Sequence, residues 1–438
     1  MTIHVGVRRE DKSVWERRVP VTPDDAELLW LEHGVQVIVQ PSATRVFTSQ
    51  EFESAGAIVH EDLSSCRVVL GIKEMPEESF RQGGTYVFFA HVIKGQKYNM
   101  PMLQRIMDLG CTLIDYERVV DEQNRRLIFF GWHAGVAGAI DTLWALGRRL
   151  AWEGISNPFS LLQLTHDYHD LAEAKAMLAE VGRRIEEDGL PEQVTPLIVG
   201  VAGYGNVSRG VQEILNLLPT EQIEPEQIAS VAADRASSRN HIYMAVFKEW
   251  HMVEPLTPGA PFDLQDYYAR PERYRGVFGK YLPHLTVLAN AIFWTGDYPR
   301  LVTNADLSNL FRGHSKPRLL VIGDISCDIE GAIECTVKST SPGDPVFVYD
   351  PASAGIADGY EGPGVVIMAV DILPAELPRE ASTYFSRVLR PFIPAIAACD
   401  FSVPFSECSL PPEIRRATIV YRGQLTPDYE HIRQHLGK

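Results

Sequence analysis

Short apolar runs alternate with helical patterns along the first part of the chain. The runs are Ile3 to Arg8, Gln36 to Gln40, Val68 to Ile72, Tyr86 to Ala90 and Thr112 to Asp115. Thr22 followed by Pro23 predicts a helix start, because threonine caps a helix and proline fits its first turn. Strands that alternate with helices predict a parallel sheet that is covered on both faces.

The middle and the end of the chain repeat this alternation. Helices are predicted from Val136 to Glu153, near Asp170 to Asp188, from Val207 to Leu218 and over residues 379–398. Strands are predicted near Leu197 and at Thr286–Ile292, Leu319–Ile322, Val346–Tyr349, Val365–Val370 and Ala417–Tyr421. Residues 230–275 show no clear period, so they are interpreted as an irregular insertion. The pattern predicts an α/β protein with two Rossmann-like, doubly wound parallel-sheet domains.

Composition narrows the class of protein. The chain has 438 residues, which is too long for one ordinary core, and its net charge is −16 without any long basic run. This argues against binding of nucleic acid or of an anionic membrane surface, but not of small anions. The six cysteines are scattered without metal-ligand spacing, and the start lacks an apolar signal core. We therefore expect a cytoplasmic protein without a metal site.

A glycine turn follows the predicted strand near Leu197. In Gly203-Tyr-Gly205-Asn206-Val207-Ser208, the first glycine permits a tight turn and the second admits a pyrophosphate. The N–H groups of the following helix would bind the phosphates, although such a turn can also be purely structural. Glu224 follows at the spacing of an acid that binds the ribose 2′-hydroxyl. The choice between NAD(H) and NADP(H) stays open.

A lysine and a histidine each follow a predicted buried strand. Lys73 ends the run that begins at Val68, and His91 ends the run that begins at Tyr86. Ligands of open parallel sheets bind beyond the carboxyl ends of the strands, so both side chains would share one rim. Burial and a nearby cation would lower a lysine pKa, so such a pair could transfer protons. The alternative is a solvated lysine and a hydrogen-bonded edge histidine.

Other charged residues are candidates for binding an acidic substrate. Arg126, beside Arg125, precedes an apolar run and could form a forked pair with a carboxylate, unless both arginines are simply solvated. Arg17 and Arg18 lie on a predicted loop before a helix. Asp328 follows a predicted strand and could reach a nicotinamide, although aspartate there is more often a cap or a turn residue.

These residues resemble motifs of the alanine dehydrogenase and transhydrogenase superfamily. The similar elements are Arg18-Val-Pro-Val-Thr-Pro, Gly71-Ile-Lys73-Glu-Met-Pro, Phe89-Ala-His91 and Asp324-Ile-Ser-Cys-Asp328. A closer resemblance, through almost the whole chain, is to lysine–2-oxoglutarate reductase domains and lysine-forming saccharopine dehydrogenases. It is carried by Trp15-Glu-Arg-Arg, Leu113-Ile-Asp-Tyr-Glu, Gly205-Asn-Val-Ser and Leu377-Pro-Arg-Glu-Ala-Ser, among others.

The resemblance implies an oxidoreductase that forms or cleaves saccharopine from lysine, 2-oxoglutarate and NAD(H) or NADP(H). It also implies a discontinuous substrate domain, residues 1–134 plus 373–438, and a dinucleotide-binding domain, residues 135–372, with a cleft between them. The bifunctional relatives continue into a saccharopine-cleaving half beyond the last residue of this chain, so we expect that second activity to be absent.

Residue roles follow from the resemblance and the motifs together. Lys73 and His91 would exchange protons, Arg18 and Arg126 would hold carboxylates, and Asp371 would lie near the substrate. The predicted cofactor contacts are Gly203, Gly205, Asn206, Val207, Ser208, Glu224, Ile292, Phe293, Asp328 and Leu373. An amino-acid dehydrogenase that uses ammonia and a 2-oxo acid, and a non-catalytic nucleotide-binding regulator, are the open alternatives. The expected partners are a small amino acid and a 2-oxo acid, with the oligomeric state open.

Overall fold

A computed structural model describes residues 2–234, 236–313 and 316–436. The chain divides into two compact units. Unit 1 combines the N-terminal part, up to Phe129, with the C-terminal part, from Pro378, and unit 2 is Phe130–Leu377. Unit 1 is therefore discontinuous, as predicted. A substrate role for unit 1 and a dinucleotide role for unit 2 stay predictions.

The N-terminal part of unit 1 alternates strands with helices. Its strands are β1 (Ile3–Val7), β2 (Val35–Val39), β3 (Ile58–Val59), β4 (Val68–Leu70), β5 (Thr85–Phe88) and β6 (Thr112–Asp115). Its helices are α1 (Pro23–His33), α2 (Ser49–Ser54) and α3 (Met100–Asp108). The Thr22 hydroxyl accepts a hydrogen bond from the backbone N–H of Asp25, and Pro23 occupies the first turn, which confirms the predicted start of α1.

Unit 2 repeats the alternation over a longer stretch. Its helices are α4 (Gly131–Trp152), α5 (Leu171–Asp188), α6 (Asn206–Leu215), α7 (Ile228–Ala233), α8 (Glu249–Met252), α9 (Leu264–Ala269) and α10 (Asn304–Gly313). Its strands are β7 (Ile198–Ala202), β8 (Thr220–Ile223), β9 (Ile242–Phe247), β10 (Val253–Pro255), β11 (Tyr274–Gly276), β12 (Val287–Asn290), β13 (Val321–Asp324), β14 (Val346–Asp350), β15 (Gly355–Asp358) and β16 (Val365–Met368).

The chain then returns to unit 1. The last elements are α11 (Pro378–Leu389), α12 (Ile393–Ala398), α13 (Pro412–Ala417), β17 (Thr418–Tyr421) and β18 (Gln424–Leu425). The single helix predicted over residues 379–398 is wrong, because the chain breaks into α11 and α12. Pro391 and Pro394 lie at this break, and proline lacks the N–H that an uninterrupted helix needs.

The sheet of unit 1 runs in the order β3-β2-β1-β4-β5-β6-β17-β18 in the described residues. The strands from β3 to β6 are parallel, and β17 and β18 add an antiparallel edge. Because β1, β4, β5 and β6 are parallel neighbours, their carboxyl ends lie at one edge of the sheet. Lys73 follows β4 and His91 follows β5, so this edge carries both predicted proton-transfer residues.

The sheet of unit 2 runs in the order β8-β9-β7-β12-β13-β16-β14-β15 in the described residues. Its strands from β8 to β16 are parallel, and the hairpin of β14 and β15 is antiparallel. Alternate residues of β7 enter two different hydrophobic clusters: Val199 and Val201 one of them, Ile198 and Ala202 the other. The sheet is therefore packed on both faces, which confirms the predicted doubly wound fold.

The predicted irregular insertion at residues 230–275 requires correction. It contains β9, a fully paired strand between β7 and β8. The run Ile242-Tyr-Met-Ala-Val-Phe is buried on both faces except for the partly exposed Val246. A strand buried on both faces shows no polar alternation, so its sequence lacks the period by which strands are recognised.

Candidate active site

Lys73 and His91 lie at the carboxyl edge of the unit 1 sheet. Both side chains are partly buried, and each follows the end of its strand by three residues. His91 has a φ of 48°, a left-handed conformation that a bulky residue adopts only when its surroundings impose it. The structure thus brings the two predicted proton-transfer residues to neighbouring strand ends.

Glu74 fixes the imidazole of His91. Its Oε1 lies 2.8 Å from His91 Nδ1, and its Oε2 lies 2.5 Å from Lys12 Nζ. Burial works against ionisation of Glu74, but these two partners outweigh it and hold the pKa of Glu74 well below its usual range. The Asn99 amide donates to Glu74 Oε1 and to the carbonyl groups of Ala90 and His91. A carboxylate on Nδ1 directs Nε2 toward an external partner.

Arg18 and Glu16 form a buried ion pair in the same unit. Arg18 Nε lies 2.7 Å from Glu16 Oε1, and Arg18 Nη2 lies 2.6 Å from Glu16 Oε2. Burial opposes both charges, yet the pairing raises the pKa of Arg18 and lowers that of Glu16. A forked pair inside the chain already engages the arginine that was predicted to hold a substrate carboxylate.

The charge of Lys73 is weakened by its surroundings. Burial is the largest cause that lowers the pKa of Lys73, and the guanidinium of Arg18 adds to it. The carboxylates of Glu16 and Glu74 act in the opposite direction. A lysine whose pKa is depressed releases its proton more readily than an ordinary lysine, which favours a role in proton transfer.

The remaining arginine candidates of unit 1 lie in loops. Arg126 retains 43% of its side-chain exposure, and its Nη1 lies 3.4 Å from Glu117 Oε1. Arg125 forms a separate ion pair with Asp121. Arg17 is partly buried, and its Nε donates to the carbonyl of Thr44 over 3.4 Å. Arg126 is the better placed of the two predicted carboxylate ligands, because its one carboxylate contact is long.

The glycine turn in unit 2 has the predicted form. Gly203 adopts a φ of 96°, and a Cβ there would lie 2.8 Å from the carbonyl oxygen of Ala291. Gly205 is the N-cap of α6, and a Cβ there would meet no atom within 4 Å. Asn206 and Val207 begin the helix, and the side chain of Ser208 is fully buried. The turn therefore leaves open space in front of the N–H groups of a helix, as an anion site requires.

Two further glycines bring α4 against α6. A Cβ on Gly135 would lie 1.9 Å from the carbonyl oxygen of Val207, and one on Gly210 would lie 2.3 Å from that of Trp132. These distances exclude any side chain at either position. The sequence prediction did not include this pair, although Gly135-Val-Ala-Gly138 is a visible small-residue pattern within α4.

Glu224 stays a predicted cofactor contact, but it lies at the edge of the sheet, away from the glycine turn. It follows β8, which lies at the outer edge of the sheet, and its backbone N–H donates to Gln227 Oε1 over 2.8 Å. The strand beside β7 is β9, and the acid that follows β9 is Glu249. Glu249 Oε1 accepts hydrogen bonds from the hydroxyl groups of Tyr204, inside the glycine turn, and Tyr268. The spacing rule assumes that the strand after α6, which is β8, lies beside β7, whereas β9 occupies that place in this sheet.

Residues after β12 and β13 lie at the same edge of this sheet as the glycine turn. Ile292 lies beside Gly203, and Phe293 is 85% exposed. Asp324, at the end of β13, is buried and accepts hydrogen bonds from the Asn290 amide over 2.8 Å and from Thr336 over 2.6 Å. Burial raises the pKa of Asp324 to about 6.

The last three predicted residues of unit 2 differ in exposure. Asp328 is exposed in the turn after β13, and Asp371 is exposed after β16. Leu373 is 1% exposed and packs into a hydrophobic cluster of unit 2, so its side chain is a core residue. The cofactor contact of Leu373 stays a prediction, and the burial of its side chain leaves its backbone as the group that could make it.

The N-terminal part of the chain matches the model of a known family. The family model described as alanine dehydrogenase/PNT, N-terminal domain, matches residues 6–137. The matched residues include Lys73 and His91, together with Glu16, Arg18 and Glu74.

Curated relatives extend the match beyond this domain. An alpha-aminoadipic semialdehyde synthase of Arabidopsis thaliana is 38% identical over 98% of the chain, which spans only 41% of that relative's length. A saccharopine dehydrogenase [NAD(+), L-lysine-forming] of Neurospora crassa is 29% identical and covers 88% of this chain and 89% of its own. These relatives confirm the predicted resemblance.

A solved structure agrees on the fold. An L-alanine dehydrogenase superposes with a TM-score of 0.61 at 17% identity, over 99% of both chains. At this identity, the likeness supports the two-sheet α/β architecture alone. In residues 2–234, 236–313 and 316–436, none of the helices has the length and apolar character needed to cross a bilayer.

Proposed function

We propose that the chain catalyses the reductive condensation of lysine with 2-oxoglutarate to saccharopine, or its reverse, with NAD(H) or NADP(H). The proposal is supported by the names of the relatives and by the alanine dehydrogenase/PNT N-terminal domain. The observation that carries it is the edge of the unit 1 sheet, where Glu74 orients His91 and burial near Arg18 lowers the pKa of Lys73. Two groups that can exchange protons suit a reaction that must both add and remove protons.

The glycine turn fits a dinucleotide. Gly203 supplies the left-handed turn, Gly205 leaves open space, and the backbone N–H groups of Asn206 and Val207 open α6. These groups would hold the pyrophosphate, with Ile292 and Phe293 lining the same sheet edge. When bound, the reduced nicotinamide supplies the hydride for the C–N bond.

Glu249 takes the place of Glu224 in the proposal for the ribose. Its Oε2 is buried without a hydrogen-bond partner among the described residues, and its Oε1 holds Tyr204 in the turn. A carboxylate here would accept a hydrogen bond from a ribose 2′-hydroxyl and repel a 2′-phosphate. We therefore expect NAD(H) to bind more tightly than NADP(H).

The proposed condensation requires proton transfers that the unit 1 residues could perform. The lysine amine adds to the keto carbon of 2-oxoglutarate, water leaves, and reduction of the C=N bond by hydride with one proton gives saccharopine. The amine must lose protons and the departing oxygen must gain them. Lys73 and His91 exchange these protons as acid and base, and Glu74 keeps His91 Nδ1 engaged so that Nε2 serves the reaction.

Carboxylate recognition is assigned first to Arg126. Arg126 is half-exposed with one long contact to Glu117, so its guanidinium can fork onto a substrate carboxylate. Arg18 contributes its positive charge, while Glu16 holds its Nε and Nη2. The exposed carboxylate of Asp371 is the other proposed substrate contact and would favour an ammonium group over an anion, while Asp328 stays a proposed cofactor contact.

The direct experiment follows the oxidation of NADH and NADPH with lysine plus 2-oxoglutarate. We expect oxidation that requires both acids, with saccharopine identified by mass. Replacing lysine with ammonium tests an amino-acid dehydrogenase, and pyruvate in place of 2-oxoglutarate tests the oxo acid. Nucleotide binding without any turnover would leave a non-catalytic regulator and reject the proposal. The expected cytoplasmic location is part of this proposal and rests on the sequence.

A further inference from the structure

Glu10 extends the sheet of unit 1 beyond the last residue of β4. Its Oε1 accepts a hydrogen bond from the backbone N–H of Ile72 over 2.7 Å, and its Oε2 accepts one from that of Lys73 over 3.0 Å. The last backbone bond from β1 to β4 is the one from Arg8 N–H to the carbonyl of Leu70. The carboxylate therefore replaces main-chain acceptors where the paired strand ends.

Asp115 does the same for the next strand. Its Oδ2 accepts a hydrogen bond from the backbone N–H of Ala90 over 3.3 Å, and its Oδ1 accepts one from that of Glu117 over 2.8 Å. Asp115 is fully buried at the end of β6, the partner of β5. The peptide that it holds leads directly into His91, whose left-handed backbone needs support from its surroundings.

Both carboxyl groups lie apart from any compensating ion pair. Among the described residues, neither forms a salt bridge within 4.0 Å, and each instead accepts two main-chain N–H groups. Burial is the first cause that raises the pKa of both groups, to about 7 in each case. Each carboxylate accepts at both oxygens only in its ionised form, so experiments belong above that pH.

We propose that Glu10 and Asp115 are positioning residues, and that each fixes the main chain at one of the two proton-transfer residues, Glu10 at Lys73 and Asp115 at His91. This inference rests on the proposed function for its role in turnover. The assignment of Glu10 to Lys73 and of Asp115 to His91 rests on the four main-chain hydrogen bonds that the two carboxylates accept. An isosteric amide at either site replaces one acceptor oxygen with an N–H donor, which then faces a backbone donor.

The test compares Glu10→Gln with Asp115→Asn, each the control for the other, at pH 8.5. Competitive acylation followed by mass spectrometry measures the reactivity of Lys73, and diethyl pyrocarbonate measures that of His91. Hydrogen exchange measures the amides at 72–73 and at 90. None of these readouts requires turnover.

We expect Glu10→Gln to accelerate exchange at 72–73 about tenfold, since a lost hydrogen bond to a charged group is worth that factor or more. The looser Lys73 regains solvent, so its pKa rises and its acylation falls about threefold or more, an order-of-magnitude expectation. The His91 reaction and the amide of Ala90 should stay unchanged. Asp115→Asn should give the mirror result, with changes at Ala90 and His91 and none at Lys73.

Equal changes at both sites from either variant would mean a general loosening of unit 1 and would overturn the proposal, as would no change at either site. Glu10→Asp keeps the charge but withdraws it by one methylene, so it should give the same Lys73 effect in a smaller degree. It serves as the second variant if Glu10→Gln does not fold. In turnover, Glu10→Gln should lower kcat with KM unchanged.

The proposed function and the positioning roles of Glu10 and Asp115 can be rejected independently of each other. If the wild-type protein does not oxidise NAD(P)H with lysine and 2-oxoglutarate, the proposed function fails, while the labelling and exchange results still decide the positioning roles. If turnover is present and the site-selective pattern is absent, only the positioning roles fail.

Discussion

The carboxyl edges of the two sheets are formed by different chemical groups. In unit 1 the edge is crowded with charged side chains that hold one another, such as Glu16 with Arg18 and Glu74 with His91. In unit 2 the edge at β7 is mainly backbone, with Gly203 in a left-handed turn and open space at Gly205. Proton transfer needs side chains in fixed positions, whereas a pyrophosphate needs side chains to be missing. The two edges should therefore fail in different ways when altered.

The largest expected effect is on turnover, from the unit 1 edge. Lys73→Met removes the amine but keeps the length and much of the apolar stem. We expect kcat to fall by about 10³-fold, the range of a lost general acid or base. NADH affinity, measured by fluorescence titration, should stay within about twofold, because Lys73 takes no part in the proposed nucleotide site. Loss of nucleotide binding in this variant would contradict the separation of roles.

The next effect is on nucleotide affinity, from the unit 2 edge. Gly203→Ala forces a side chain into a left-handed residue and within 2.8 Å of the Ala291 carbonyl oxygen. We expect the Kd for NADH to rise by about 10- to 100-fold and the Tm to fall, since the backbone must shift. Gly205→Ala is the matched variant, because its Cβ meets no protein atom and should weaken NADH binding without lowering the Tm. Equal Tm losses in both would show that the turn is only structural.

A pair of buried acids in unit 2 sharpens the contrast with Glu16 and Arg18. Burial raises the pKa of Glu376 to about 8, and burial with the neighbouring Glu376 raises the pKa of Asp141 well above its usual value. A carboxyl group with a raised pKa binds its proton more tightly in the folded state than in the unfolded state. Its contribution to stability is therefore complete at pH values below the pKa of the unfolded chain, and it is lost as the pH rises through about 8. Relative to the wild type, Glu376→Gln should therefore raise the free energy of unfolding by about 2 kcal/mol more at pH 9 than at pH 5. Denaturant unfolding at both pH values measures the difference, and an equal effect at both would reject the assignment.

The smallest effect concerns the orientation of His91. Glu74→Gln keeps the size of the side chain but removes the carboxylate from Nδ1. We expect kcat to fall by about tenfold with KM little changed, in keeping with a positioning partner of a base. Lys12→Gln is the control, because Lys12 is half-exposed and contacts the other oxygen of Glu74. If Lys12→Gln has the larger effect, the role of Glu74 lies in charge balance and not in orientation.

Much of the fold follows from the sequence because the buried runs and the helix caps are local signals. Thr22 with Pro23, and the turn from Gly203 to Gly205, occur where the pattern predicts them. The missed strand β9 is apolar throughout, so only its neighbours in the sheet identify it. The same missed strand explains the assignment of the ribose acid to Glu224, since spacing along the chain does not reveal sheet order.

The candidate site also contains some residues that the sequence predicts and others that it does not. Lys73 and His91 are predictable because strand ends in parallel sheets gather ligands, and a resemblance supports both. Their partners are not, because Glu10, Glu16 and Glu74 are ordinary acids in an acidic chain until three-dimensional contacts select them. Leu373 differs from these acids because the sequence singled it out, yet its side chain is buried. An apolar residue after a strand can lie in a hydrophobic core as readily as in a binding site.

Isotope transfer tests the central claim most directly, because it follows the hydride and the C–N bond together. NADH or NADPH carrying deuterium at the transferred position of the nicotinamide C4 is mixed with lysine, 2-oxoglutarate and either wild-type protein or Lys73→Met. We predict saccharopine with one deuterium at the former keto carbon from the wild type, and almost none from the variant although it still binds the nucleotide. Deuterated glutamate formed from ammonium, or labelled saccharopine at the wild-type rate from Lys73→Met, would contradict the account.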